Sequence, residues 1–146
     1  TQRRELMKAY LSFVRPEDNA YNYYRNIGNF ANAVMDSEAN EIVCKDFLSS
    51  FSYDEVPALM DLILKKMRIN SELTIVEPDF YLASKHIYRG DIPVSEVNSK
   101  LFDSNSLKSI LTISDIESLI TPSFQVVSKH LDENSCRFVI KVRRSQ

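Results

Sequence analysis

Three carboxylates stand at the ends of apolar runs that the sequence predicts to be strands. Asp46 follows the run 41–44, and Glu77 and Asp79 flank Pro78 after the run 72–76. Because open α/β sheets bind ligands at the carboxyl ends of their strands, we expect Asp46 to contact a ligand there. Glu77 and Asp79 would lie on the same rim, as a general base or as substrate contacts. The alternative is structural, since acids also stabilise the start of a helix.

Gly28 and Asp36 are two further candidate ligand-binding residues. Gly28 is one of only two glycines, and a glycine allows a ligand to approach the backbone closely. A plain turn at residues 28–29 explains the same glycine without a ligand. Asp36 opens the acidic, polar stretch 36–40, which is either a solvated loop or a contact for a bound base.

The cysteines and histidines do not predict a metal site. Cys44 and Cys136 each lie in or beside an apolar run, which indicates two buried, reduced thiols, with a disulfide or metal pair as the alternative. His86 and His130 show no ligand spacing relative to these cysteines. Neither histidine has a neighbour in sequence that would give it a catalytic role.

Length and charge limit the classes of partner. The 146 residues correspond to one domain, and the formal net charge of -2 provides no basic field for nucleic acid or an anionic membrane. We therefore do not expect a nucleic-acid partner. No apolar run reaches the ~20 residues that span a bilayer, and residues 1–5 lack the apolar stretch of a signal peptide. These features predict a cytoplasmic protein.

Hydrophobic periodicity and turn residues predict an α/β fold. Strands that alternate with helices imply crossovers and a mostly parallel sheet with helices on its faces, and a turn at 132–135 closes a carboxyl-terminal antiparallel hairpin. Residues 21–24 form a short strand or a ligand-facing loop, and 30–35 are irregular or one helical turn. Residues 103–106 form a polar loop. The other predicted elements are strands at 9–14, 41–44, 72–77, 124–131 and 136–143, and helices at 53–67, 79–89, 93–102 and 114–120, the first and last opened by capping boxes at Ser52/Glu55 and Ser114/Glu117.

From residue 40 onward this order resembles the carboxyl-terminal half of the class I S-adenosylmethionine (SAM)-dependent methyltransferase fold. Residues 41–48 (Glu-Ile-Val-Cys-Lys-Asp-Phe-Leu) resemble the family pattern D-E-I-V-x-x-D-x-L, and residues 78–80 repeat its Pro-Asp-Phe ending. The hairpin 124–143 resembles its final two strands. The resemblance covers about 100 residues, as a pattern of element order. It implies a Rossmann-like sheet, with SAM over the strand ends near Gly28, Asp36 and Asp46.

The first forty residues depart from that family. A glycine-rich loop should follow the first strand, but residues 15–20 are Arg-Pro-Glu-Asp-Asn-Ala. An acid that binds the ribose should end a second strand, and no strand–helix–strand unit is evident between residues 14 and 28. The chain therefore resembles a shortened form of the fold, similar to small phage-encoded relatives, which would place it in a host cytoplasm or a virion.

Two functional hypotheses follow from this resemblance. The first, favoured by the scarcity of glycine, is a degenerate, non-catalytic relic without a cofactor. Such a protein would serve as a structural or interaction module, and its exposed sheet edge would favour a homo-oligomer or a protein partner. The second hypothesis is a minimal SAM-dependent methyltransferase of unknown substrate, since methyl transfer depends more on positioning than on acid–base groups.

Overall fold

The computed structural model describes residues 6–102 and 107–146, so the predicted polar loop at 103–106 lies outside the described residues. The strands and helices are numbered in chain order. Two 3₁₀ turns, at Leu48–Ser50 and Tyr53–Glu55, precede the second helix. The strands are β1 (Lys8–Leu11), β2 (Asn22–Tyr24), β3 (Ala39–Lys45), β4 (Met67–Pro78), β5 (Phe124–Asp132) and β6 (Arg137–Arg144), and the helices are α1 (Ile27–Ala33), α2 (Val56–Lys66), α3 (Phe80–Arg89), α4 (Val94–Phe102) and α5 (Ile113–Ser118).

The strands form one mixed sheet in the order β2-β1-β3-β4-β6-β5. The pairs β1–β2, β1–β3 and β3–β4 are parallel, whereas β6 runs antiparallel to both β4 and β5. The predicted fold class, a mostly parallel sheet with a carboxyl-terminal antiparallel hairpin, is confirmed. Strands β1 to β4 end at the same edge of the sheet, which we call the carboxyl edge, and they start at the amino edge.

One face of the sheet carries the main core. Its side chains, among them Leu11, Ile42, Leu73 and Ile140, are wholly buried. They share one hydrophobic cluster with the predicted apolar stripe of α2, which is confirmed for Val56, Leu59, Met60, Ile63 and Leu64. Met67, predicted to end this helix, instead begins β4 and is buried in the same cluster. Phe30 of α1 and Ile116 of α5 belong to the same cluster, so these three helices cover this face.

The opposite face is less well covered, and we call it the open face. Its central side chains, Tyr10, Val43, Thr74, Val76 and Val139, are all only partly buried. The three valines belong to neither of the two hydrophobic clusters. The strands consequently alternate between buried apolar residues and partly exposed or charged ones, as in a sheet that faces water on one side.

Three local predictions need correction. Gly28 lies in the first turn of α1 and not in a plain turn, because the Asn26 side chain caps the helix there. The Ser114/Glu117 capping box is wrong by two residues, since Thr112 and Asp115 form it instead. Ser52 precedes a 3₁₀ turn and makes no side-chain cap, although its hydroxyl donates to Glu55 (2.7 Å).

Candidate functional site

Asp46 directly follows β3 at the carboxyl edge, where it forms a buried ion pair. Its backbone is left-handed (φ 50°), a conformation that Asp tolerates better than most residues. Nε of Arg137 donates to Oδ1 of Asp46 at 2.7 Å, and Nη2 donates to Oδ2 at 3.2 Å. The two side chains are 11% and 7% exposed, so little water competes for the pair. The Asp46 carboxylate is therefore neutralised by this chain's own arginine.

Arg137 ties three segments together at this edge. Besides Asp46 it donates to the carbonyls of Ser135 and Lys100, each at 2.7 Å. These contacts connect the end of β3 with α4 and with the turn between β5 and β6. The arginine therefore acts as a clamp across the carboxyl edge. Sequence reasoning missed it because its partner Asp46 lies 91 positions away and no local motif marks the pair.

Glu77 lies beneath the rim and is fully buried. Its carboxylate accepts hydrogen bonds from the backbone N–H groups of Phe47 (3.1 Å) and Ser49 (2.8 Å). Burial raises the pKa of Glu77 to about 8, with a further rise from the charge of Asp46, against the opposing effect of the two amides. Because both oxygens hold the loop after β3, Glu77 is not presented to a substrate at the rim.

Asp79 caps helix α3 and also lies at the carboxyl edge. Its side chain accepts a hydrogen bond from the backbone N–H of Leu82 at 3.0 Å, and Gly90 ends the same helix in a left-handed conformation. Both features agree with the helix predicted over residues 79–89. The geometry of Asp79 is that of an N-cap, and only 8% of the residue is exposed.

Phe13 lies in the loop that follows β1 and covers part of the carboxyl edge. Its ring stacks on that of Phe47, just after β3, with centroids 5.4 Å apart. Phe47 is wholly buried and also contacts Phe51 edge to face. The Arg25 guanidinium lies 5.8 Å from the centre of the Phe13 ring. Aromatic side chains therefore pack across the ends of β1 and β3.

The structure separates the other two predicted ligand-binding residues from each other. Gly28 lies after β2 near the carboxyl edge, where its N–H donates to the side chain of Asn26 (2.7 Å). A Cβ at Gly28 would come within 3.0 Å of that same oxygen, so close approach of the cap accounts for the glycine. Asp36 lies at the amino edge, 3.0 Å from Lys66 Nζ. Asp36 precedes β3 and Asp46 follows it, and the seven residues of this strand span ~20 Å, so the two carboxylates lie at opposite edges of the sheet and do not contact one small ligand.

Two clefts open at the amino edge around Asp36 and Ser37. Their volumes are about 750 and 390 Å³. They lie at the edge opposite to the one where open α/β sheets bind ligands. The larger is lined by Leu6, Met7, Asn22, Met35, Glu38, Asn40 and Arg68, besides Asp36 and Ser37.

The described residues contain neither a cluster of metal ligands nor a helix that could span a membrane. No group of three His, Cys, Asp or Glu side chains converges within residues 6–102 and 107–146. No helix in these ranges is both long and apolar enough to cross a membrane. Cys44 and Cys136 are buried and unpaired, in agreement with the prediction of two free thiols.

Comparison with known proteins places this arrangement in a fold. No protein-family model and no curated protein sequence matches the chain. Among solved structures, it is similar to the magnesium protoporphyrin IX methyltransferase of Synechocystis PCC 6803 with bound S-adenosylhomocysteine (SAH; TM-score 0.56, 11% identity). It is also similar to a SAM-dependent methyltransferase of Archaeoglobus fulgidus (0.52, 11%) and to a putative type 11 methyltransferase of Sulfolobus solfataricus (0.52, 8%). The chain has the class I methyltransferase fold.

The match to the methyltransferase fold is extensive for this chain and partial for its neighbours. The three alignments cover 86%, 85% and 89% of the chain, but 51%, 68% and 62% of the respective neighbours. The chain thus spans between half and about two thirds of their length. At these identities the similarity establishes the fold, and the activity has to be argued from the site.

The carboxyl edge does not fit the cofactor that the resemblance implied. The loop after β1 carries Phe13 in place of glycines, and its ring packs on Phe47 where a ligand would approach the backbone. The Asp46 carboxylate is held by Arg137 on both oxygens. Asp36 lies at the other edge. The residues predicted to hold SAM therefore do not form one site in this methyltransferase fold.

Proposed function

We propose that this protein is a degenerate, non-catalytic member of the methyltransferase fold that acts as a structural or interaction module. The observation that carries the proposal is the closed carboxyl edge, where the Phe13–Phe47 stack and the Asp46–Arg137 pair occupy the ends of β1 and β3. A ligand at this edge would have to displace a packed aromatic ring and compete with a buried ion pair. No glycine-rich loop follows β1 to offset these two costs by donating backbone N–H groups to the ligand.

Two surfaces support a role in protein contacts. The open face keeps its central side chains partly exposed, and β2 and β5 are the terminal strands of the sheet. Unpaired strand edges and partly apolar faces both favour association with another protein surface. We place the module in the cytoplasm, where its two buried, unpaired thiols would stay reduced.

Calorimetric titration of the folded protein with SAM and with SAH tests the loss of cofactor binding. We expect no saturable heat at millimolar ligand, with circular dichroism confirming that the sample is folded. Asp46→Ala should behave in the same way in the titration. Micromolar binding that is lost in Asp46→Ala would overturn the proposal and would support a minimal SAM-dependent methyltransferase instead.

A further inference from the structure

The open face is unusual because most of the strands beneath it are parallel. Parallel sheets are found almost only where both faces are covered, since crossover helices pack on them. Here the crossover from β1 to β2 consists of residues 12–21 and contains no helix. It reaches only the first columns of the sheet, where Tyr21 packs edge to face on Tyr10 with ring centroids 5.7 Å apart. The side chains at the centre of the open face therefore remain partly exposed to solvent.

Strand register arranges the open face in three rows that cross the strands. Tyr10, Val43, Thr74 and Lys141 form the middle row. The row toward the amino edge is charged. The row toward the carboxyl edge is mostly apolar, with one lysine. The outer rows are Lys8, Glu41, Glu72 and Arg143 on the amino side, and Lys45, Val76 and Val139 on the carboxyl side.

The charges on this face are only partly paired within the chain. Glu72 and Arg143 form an ion pair at 2.7 Å, and Glu41 lies 3.8 Å from Lys8 and accepts a hydrogen bond from Tyr21. Lys45 is exposed, and no ion-pair partner for it lies within the described ranges. The side chain of Glu41 is 33% exposed, so its carboxylate can accept a further partner.

We propose that a second copy of this chain covers the open face, in a two-fold symmetric, sheet-on-sheet dimer. A two-fold axis that passes over Val43, in the plane of the interface and perpendicular to the strands, exchanges the two outer rows. It sets Glu41 of each copy over Lys45 of the other, because both residues lie on β3 two positions from Val43. The Glu41 and Lys45 charges are therefore self-complementary, the Glu72–Arg143 ion pair lies over Val76 and Val139 of the other copy, and Val43 and Thr74 meet their own counterparts at the centre.

A two-fold axis along the strands is disfavoured by the same pattern. It would keep each row in place and exchange β3 with β4, so that Glu41 of one copy would face Glu72 of the other. Like charges in direct opposition destabilise an interface. The perpendicular axis opposes Lys141 to its own copy, but this residue is exposed at the side of the patch, where water screens the repulsion.

The size of the open face limits the strength of the interface. The rows cross four strands, which at a spacing of ~4.8 Å give a width of ~19 Å, and the three rows with their side chains extend ~20 Å along the strands. The patch is then roughly 400 Å² per copy, the size of a weak, transient interface. We therefore expect a dimer that dissociates at about 100 µM.

Sedimentation velocity over about 10 to 500 µM protein tests the dimer and its orientation. Wild-type protein should show a concentration-dependent shift from monomer to dimer. Lys45→Glu should weaken dimerisation at least about tenfold, since it converts two attractive pairs into repulsive ones. The exchange Glu41→Lys with Lys45→Glu should restore it. Lys141→Gln should tighten the dimer, which a purely structural role of this residue would not do.

Lys65→Glu is the matched control, because it makes the same charge change on α2, at the other face of the sheet. It should dimerise like the wild type, and circular dichroism should show that each variant is folded. A monomer at every concentration, or a dimer insensitive to Lys45→Glu, would overturn the proposal. The proposed dimer rests on the interaction role given above, but the two fail separately: SAM titration tests the carboxyl edge, and sedimentation tests the open face.

Discussion

Replacement of Glu77 by Gln should remove a large pH dependence of stability. The folded state raises the pKa of Glu77 from 4.5 to about 8, chiefly through burial. Between these values the folded protein keeps a proton that the unfolded chain releases, so stability falls as the pH rises. The slope approaches 1.36 kcal/mol per pH unit, and the total loss on full ionisation is about 5 kcal/mol. A loss of this size is comparable to the whole stability of a marginal domain.

Urea titrations from pH 5 to pH 9 measure this effect directly. Near pH 5, Glu77→Gln should be less stable than the wild type by about 1 kcal/mol, because one of the Phe47 and Ser49 amides loses its acceptor. Toward pH 9 the order should reverse, since glutamine never acquires the buried charge. Glu72→Gln, an exposed change on the same strand, should follow the wild type throughout. A difference between wild type and Glu77→Gln that is constant with pH would refute the reasoning.

Four further substitutions probe the carboxyl edge and the residues predicted to contact a ligand. Arg137→Met should lower the free energy of unfolding by about 3–5 kcal/mol in urea titrations, because Asp46 is left buried and unpaired. A loss below about 1 kcal/mol would mean that water solvates Asp46. Phe13→Ala should lower the free energy of unfolding by about 1–3 kcal/mol, because the aromatic stack is lost. Calorimetry of this variant with SAH should still show no heat. Binding of SAH to the variant would mean that the Phe13 ring alone prevents cofactor binding. Asp79→Ala should lower the free energy of unfolding by about 1 kcal/mol through loss of an N-cap, while Asp36→Ala should change it by less than about 0.5 kcal/mol, and equal costs would contradict these assignments.

Local chemistry made much of the fold predictable. The spacing of apolar residues predicts α2, and Asp79 marks the start of α3, because a cap residue acts within one helical turn. The hairpin of β5 and β6 was evident from the turn at 132–135. Where local signals competed, the prediction was less accurate. The sequence does not mark Asn26 as a cap, so a turn and a ligand contact are both compatible with Gly28.

The site was harder to predict because it depends on contacts between distant residues. The sequence correctly predicts where β3 and β4 end, and Asp46 and Asp79 lie at the carboxyl edge. The contacts that close this edge are not predictable from local sequence. Arg137 donates to Asp46 from a strand 91 positions away, and Phe13 stacks on Phe47 from the loop after β1. The family resemblance groups Asp36 with Asp46, but the direction of β3 puts them at opposite edges of the sheet.

The most direct test of a closed carboxyl edge is a two-dimensional amide NMR titration of the wild-type protein with SAH. The backbone amides of residues 12–14 and 46–49 surround the Phe13–Phe47 stack and would report any ligand there. We predict that their resonances do not shift up to millimolar SAH. Saturable shifts confined to these amides would show that the edge still binds the cofactor, and would contradict the account of a methyltransferase fold closed by its own side chains.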